Sequence, residues 1–240
     1  MKYEKLNLLD RNFFPDSTSS RGYKADLWDR SCNSPGPIVI TDMMLPMYSK
    51  FPGREKIAWI LEPYDVSPQC YHWIRKNYIH FNEIWTHDKD LIKDIPNSKY
   101  IPMGGCWIKE EESKIYPKKK LCSFIASRKN RTSGHKLRQD IRMPLNNLGV
   151  DVFGKDTNKE LKDKIDGLKN YAFSVTIENS IKNDYFTEKI FDCFRTGTIP
   201  IYWGTRNIGN YFNDKGIIHF ENKTELYKLI PELNIDKYNE

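Results

Sequence analysis

No two of the five cysteines (Cys32, Cys70, Cys106, Cys122 and Cys193) form a CxxC pair, and they are scattered along all 240 residues. An odd, dispersed set of thiols argues against a disulfide framework and for a reducing compartment. No apolar run approaches the ~18 residues needed to cross a bilayer. The opening residues, MKYEKLNLLDRNFFPD, lack the uninterrupted apolar stretch of a signal peptide. These gaps lead to the expectation of a soluble, cytoplasmic chain with no integral membrane segment. There is no repeat of the length that marks a solenoid, and no low-complexity tract. His72, His80, His87, His135 and His219 show no metal-ligand spacing, so no metal is expected. Basic residues are not gathered into an arm apart from Lys118-Lys119-Lys120, which argues against nucleic acid as a partner.

What is present is aromatic surface and a modest basic excess. Hydrophobic content is only 39%, but 14 Tyr, 12 Phe and 6 Trp supply enough apolar area for a core. The net charge of +6 suits an anionic ligand such as a nucleotide.

Short β-branched runs recur with helices or loops between them. Leu6 to Leu9 reads as a weak first strand, and Asp16 to Arg21 as a polar loop. Pro37 to Asp42 reads as a strand leading into a Met- and Pro-rich loop, Met43 to Met47. Lys56 to Leu61 is a strand ending on Glu62-Pro63, and residues 68 to 80 have helical periodicity. Glu83 to His87 and Lys99 to Met103 read as further strands, with Asp88 placed as a helix N-cap. After the charged run Lys109 to Lys120 a second series begins. It comprises strand Leu121 to Ser127, a helix from Ser133 to Leu148, strand Val150 to Gly154, a charged helix from Asn158 to Lys169, and a last strand near Ile217 to Phe220. The alternation predicts an α/β protein with mainly parallel sheets and right-handed crossovers. Two Rossmann-like domains are expected, residues 1–115 and 116–240, the first reduced in size.

The segment Phe173 to Trp203, FSVTIENSIKNDYFTEKIFDCFRTGTIPIYW, carries the most information. A buried strand ends on Glu178-Asn179-Ser180, a polar loop follows, and Thr187-Glu188-Lys189 opens a helix that Gly197 stops before the next strand. Polar groups at a strand's carboxyl end and the next helix's amino end converge where open α/β sheets bind ligands. Free N–H groups and the helix dipole there favour an anion, and Lys189 adds a full positive charge. The unit reads as built for a phosphorylated ligand.

The pattern F-x-x-x-x-E-N-S, then D-Y-x-T-E-K-I, then P-I-x-x-G resembles the donor-binding motif of the α-1,3/4-fucosyltransferases, glycosyltransferase family 10. Phe124-Ile125-Ala126-Ser127, Arg138, Leu145 and Val150-Asp151-Val152-Phe153-Gly154 resemble the family's upstream strand, arginine-led helix and V-D-x-[FY]-G strand. The resemblance covers residues 120 to 220. The amino-terminal half rests on Trp59-Ile60-Leu61-Glu62-Pro63, similar to a family strand that ends in a glutamate.

The resemblance implies a GT-B-like fold, two Rossmann-like domains facing each other across a cleft, the second holding the donor. It implies an inverting, metal-independent enzyme with GDP-fucose as donor, a glycan or glycoconjugate as acceptor, and no cofactor. Lys189 and Arg138 would then contact the diphosphate, Glu188 the ribose hydroxyls and Asn179 the ribose or phosphate region. Tyr185 would stack on the base or ribose, and Glu62 would be the general base. Elementary chemistry suits these assignments. The departing nucleoside diphosphate gains negative charge in the transition state, which nearby cations stabilise, and a guanidinium fork can hold two phosphate oxygens. Inversion needs a carboxylate to take the acceptor's proton. Lys189 and Arg138 are both expected near the crevice surface, replaceable by alanine without unfolding.

Plainer readings stand beside these. Lys189 could be a solvated first-turn lysine, Glu188 a dipole-compensating helix start, Arg138 one of several helix-surface charges, and Tyr185 a loop-packing residue. Glu62 could simply end a strand before Pro63. Asp88-Lys89-Asp90 is a DxD, a metal signature in other transferases, but Asp88 reads as structural. The basic loop Ser127 to Arg131 could add to the positive field or be solvated. Two alternatives remain for function: a DNA-modifying glucosyltransferase, suggested by the basic charge, and a nucleotide-sugar or glycan-binding protein without turnover.

Overall fold

The computed structural model describes residues 6–11, 28–155, 157 and 159–239. The chain divides into two compact units, 1–103 and 104–240, each built on its own parallel sheet. The polar stretch Asp16 to Arg21 lies outside the described residues.

The first unit contains strands β1 (Leu6–Leu9), β2 (Trp28–Asp29), β3 (Ile38–Thr41) and β4 (Lys56–Ile60). Helix α1 (Pro68–Asn77), strand β5 (Glu83–Thr86), helix α2 (Lys89–Asp94) and strand β6 (Ser98–Tyr100) follow. Its strands pair in the order β2-β1-β3-β4-β5-β6, all parallel. Parallel strands are covered on both faces and so read as continuous apolar runs; β3, IVIT, is buried at every position. One face packs Ile38, Ile40, Ala58, Ile60 and Ile84 against Tyr71 and Ile74 of α1 and Leu91 of α2. The other sets Trp28, Trp59 and Trp85 around Leu8, Val39 and Ile57.

Two local details bear on the sequence reading. The segment expected as a loop, Met43 to Met47, lies inside a 3₁₀ helix, Asp42–Lys50. Asp42, at φ +34°, accepts the Leu61 backbone N–H at 3.0 Å, and Leu45 is buried, so tertiary contacts order a segment whose composition reads as loop. Asp88 caps α2: its Oδ1 accepts the backbone N–H groups of Asp90 at 2.9 Å and Leu91 at 3.1 Å. Asp88→Ala is expected to cost about 1 kcal/mol of stability through the lost cap. A denaturant titration reads this as a lower midpoint, and an unchanged midpoint would count against the capping role.

The second unit begins with β7 (Lys120–Ile125), α3 (Ser133–Asn147), β8 (Asp151–Phe153) and β9 (Tyr171–Ile177). It continues with α4 (Glu188–Arg195), β10 (Ile199–Trp203), β11 (Ile218–His219), α5 (Lys223–Leu229) and α6 (Ile235–Asn239). Strand order is β11-β10-β9-β7-β8. β9 is buried at every residue, and Phe173, Val175 and Ile177 share a core with Phe124, Ile141, Leu145 and Ile201. The charged run Lys109 to Lys120 belongs to this unit.

The charged helix expected from Asn158 to Lys169 is absent from the described part of that range. Asn158 itself lies outside the described residues, and only a 3₁₀ turn, Lys164–Gly167, forms. A short, highly charged segment is a marginal helix by itself. Here Ile165 and Leu168 instead pack with Cys106, Ile108 and Cys193, and Lys164 pairs with Asp192 of α4. Tertiary partners outweigh weak local propensity. No helix among the described residues is long and apolar enough to cross a membrane.

Candidate functional site

The sheet of the second unit reverses direction between β7 and β9. From β7 the chain passes outward to β8, then returns to the opposite side of β7 to form β9. Connections leaving the carboxyl ends of two such neighbours diverge and open a crevice, the usual ligand position in doubly wound sheets. The loops after β7 and β9, with the amino ends of α3 and α4, therefore line that crevice.

From the β7 side comes α3. Thr132 caps it: its Oγ1 accepts the His135 backbone N–H at 3.3 Å, while the His135 Nδ1 takes the Thr132 N–H at 3.3 Å. Burial, with the charges of Arg138, Lys129, Lys189 and Arg131, pulls the His135 imidazole down to about 4, so it is neutral at physiological pH. At the second helical position stands Gly134, whose backbone N–H donates to the Asn179 carbonyl at 3.1 Å. A Cβ added there would lie 1.8 Å from the Glu178 carbonyl oxygen. Only glycine lets α3 approach the end of β9 this closely.

One turn along α3, Arg138 is 5% exposed. Its Nη1 donates to the carbonyls of Ile177 and, at 3.4 Å, Glu178; its Nη2 donates to Asn179 Oδ1 at 2.9 Å. The guanidinium thus closes the carboxyl end of β9, where carbonyl groups have run out of strand partners. This corrects the expectation of a surface residue removable without structural cost. Arg138 and Asn179 are brought together, but first through each other.

From the β9 side comes Glu178, which the sequence reading used only as the end of a strand. Its side chain is fully buried. Oε1 accepts the Thr187 backbone N–H at 2.8 Å; Oε2 accepts the Thr187 hydroxyl at 2.7 Å and the Lys189 ammonium at 3.1 Å. Thr187, the N-cap residue, makes no capping bond with its own side chain. The preceding strand therefore supplies the carboxylate that fixes the entry to α4.

Lys189 also donates to Thr187 Oγ1 at 2.7 Å and pairs with Glu188 Oε1 at 3.3 Å. Its side chain keeps 20% exposure, so the solvated-lysine reading gives way to a lysine held by three oxygens. Burial lowers its pKa and the two glutamates more than offset that, leaving it raised and the ammonium charged. Burial raises Glu188, but Lys189 and Lys164 reverse this and bring it down to about 2, so it is ionised. Lys164, unsuspected from sequence, is tied to the buried Asp192, which also accepts the Trp107 N–H at 2.6 Å.

The loop between β9 and α4 is fastened from below. Asp184, at φ +64°, donates its backbone N–H to Thr205 Oγ1 at 2.9 Å; its Oδ1 accepts from Asn207 at 2.7 Å and from the Tyr211 hydroxyl at 2.6 Å. Tyr185 is completely buried, with no exposed ring surface to offer a base or ribose. The packing reading describes it here. The basic loop after β7 is exposed, with Gln139 Nε2 donating to the Ser127 carbonyl at 2.6 Å. Glu62 belongs to the first unit, half-buried just past β4, with its carbonyl accepting the Tyr71 hydroxyl at 3.1 Å.

Residues 115–240, which hold Arg138, Glu178, Glu188 and Lys189, match the family model described as glycosyltransferase family 10 (fucosyltransferase) C-term. The chain belongs to glycosyltransferase family 10. Similar proteins include the alpha-(1,3)-fucosyltransferase FucT of Helicobacter pylori, 32% identical over 127 residues, a match covering 50% of this chain and 26% of that protein. Another is the mouse (Mus musculus) 4-galactosyl-N-acetylglucosaminide 3-alpha-L-fucosyltransferase 9, 31% identical over 99 residues, covering 38% of this chain and 27% of that one. The chain thus spans about a quarter of the length of the curated relatives it matches. The crystal structure of an alpha1,3-fucosyltransferase with GDP superposes with a TM-score of 0.60 at 15% identity, over 98% of this chain and 79% of that one. The two-sheet α/β architecture is thus GT-B-like, as the resemblance implied.

Proposed function

We propose that this protein is an inverting glycosyltransferase that moves a sugar from a GDP-sugar to a hydroxyl of a glycan acceptor, with fucose as the sugar. The observation that carries the reading is the cluster Arg138, Lys189 and Glu188 at the switch point of a sheet whose sequence matches the family. A related structure, of an alpha1,3-fucosyltransferase with GDP-fucose, supports the choice of donor by analogy of fold.

In this reading the diphosphate lies at the amino end of α4, where the helix dipole and the Lys189 ammonium favour an anion. As the bond from the anomeric carbon to phosphate breaks, negative charge grows on the leaving diphosphate. A cation already fixed in place stabilises that charge without reorganising. Glu188, ionised, accepts hydrogen bonds from the ribose hydroxyls. Arg138 acts by holding Asn179 and the end of β9 toward the ligand. Tyr185, buried, supports the loop. Glu62 takes the proton from the acceptor hydroxyl as it attacks the face opposite the leaving group. The charge on the leaving group is met by side chains, so the reaction needs no metal and no cofactor. The five free thiols suit a reducing compartment, the cytoplasm.

The test is transfer from GDP-fucose to a panel of glycans. Glu62→Gln is expected to lower the rate by ~10²-fold or more while leaving GDP affinity unchanged. A rate that stays at the wild-type level removes Glu62 as the base. Wild-type protein that binds GDP but transfers to no acceptor is a binding protein instead.

A further inference from the structure

Lys189 has three N–H donors, and the structure places three oxygens around it: Thr187 Oγ1 at 2.7 Å, Glu178 Oε2 at 3.1 Å and Glu188 Oε1 at 3.3 Å. The three differ in kind. Glu188 sits on the same first turn, and its side chain is 25% exposed, so it reaches the edge of solvent. Glu178 is buried, and its two oxygens also hold the Thr187 N–H and hydroxyl. These bonds to the start of α4 hold the Glu178 carboxylate in place.

We propose that Glu178 is the positioning residue of the donor site: through Thr187 and Lys189 it fixes the direction and charge of the ammonium that meets a nucleoside diphosphate. The inference rests on the donor reading above. Its physical content is a division of labour between two carboxylates. Glu178 is the fixed anchor, and Glu188 the partner that Lys189 gives up to a phosphate oxygen. The released Glu188 carboxylate then faces hydroxyl groups of the same ligand. A long lysine side chain left unanchored would lose rotamer freedom on binding, and Glu178 has removed that cost beforehand.

Simple electrostatics predicts the opposite sign from positioning, which makes the idea easy to break. Removing a negative charge beside a diphosphate should tighten GDP binding. Positioning predicts that Glu178→Gln weakens GDP binding about tenfold by calorimetry. It also predicts non-additivity. Lys189→Ala should weaken GDP tenfold to a hundredfold, and Glu178→Gln should add little once Lys189 is alanine. Unchanged or tighter GDP binding by folded Glu178→Gln overturns the proposal, as do additive losses. Should Glu178→Gln fail to fold, Thr187→Val reads the same linkage. It keeps the backbone N–H bond to Glu178 but removes the hydroxyl bridging Glu178 and Lys189, and should weaken GDP several-fold where Thr187→Ser does not. Equal affinities of these two variants overturn the proposal. If the wild type itself binds no GDP, the donor reading has failed and takes this role with it; loss confined to variants cannot be mistaken for that.

Discussion

Arg138→Ala is expected to destabilise the second unit by about 3–5 kcal/mol, a large part of the 5–15 kcal/mol typical of a domain. The guanidinium is 5% exposed and serves three acceptors at the end of β9, two of them backbone carbonyls. Alanine would strand those acceptors in a buried place, at roughly 1–3 kcal/mol for each unsatisfied group. It would also leave Glu178 and Glu188 with less compensating charge, since both interact with this guanidinium. Arg138→Lys should recover only part of the loss, because an ammonium cannot span the same acceptors as a fork. Chemical denaturation of the three proteins checks the order wild type, lysine, alanine. Equal midpoints would mean that Arg138 is the surface charge that the sequence suggested.

Gly134→Ala should be nearly as damaging, for a steric reason. The added methyl group would stand 1.8 Å from the Glu178 carbonyl oxygen and 2.9 Å from that of Asn179. Both neighbours are backbone atoms, so no rotamer change relieves the clash. Either α3 retreats from β9 and breaks the Gly134 to Asn179 hydrogen bond, or the end of β9 bends. Overpacking of this kind costs roughly 1–3 kcal/mol, and the hydrogen bond adds to it. Moving α3 also drags Arg138 from its acceptors, so ligand affinity should fall with stability. Gly104→Ala is the control: it is exposed with nothing within 4 Å of the added carbon, and should be near neutral. A Gly134→Ala protein as stable as the control would contradict the close approach of α3 to β9.

These two residues show where sequence reasoning reaches and where it stops. The strands were legible because parallel strands are nearly pure apolar runs: Phe173 to Ile177 and Ile38 to Ile40 announce themselves. The entry to α4 was legible from Thr187-Glu188-Lys189, and its end from Gly197, whose φ of +65° is a helix-terminating geometry. What one element does to another was not legible. Nothing local to Gly134 says that a carbonyl lies against its Cα, and nothing local to Arg138 says that its side chain turns inward. Glu178 stands in the motif, yet its partners Thr187 and Lys189 become neighbours only when the loop through Asp184 folds back. The missing helix after residue 158 fails for the same reason in reverse, since Ile165 and Leu168 found better partners across the fold than along it. Tyr185 illustrates the limit of type alone: an aromatic in a binding motif can stack on a ligand or fill the core, and burial chooses the second.

The central claim is that the switch point of the second unit takes a guanosine diphosphate. Thermal unfolding in the presence of GDP, GDP-fucose, UDP and UDP-glucose tests it most directly. A ligand present at a hundred times its Kd adds ~2.7 kcal/mol to the folded state, which for a chain of this size raises Tm by roughly 5–10 °C. GDP and GDP-fucose are expected to give a shift of that order, growing with concentration, while UDP and UDP-glucose give none. Stabilisation by the uridine nucleotides with none from GDP or GDP-fucose would contradict the account.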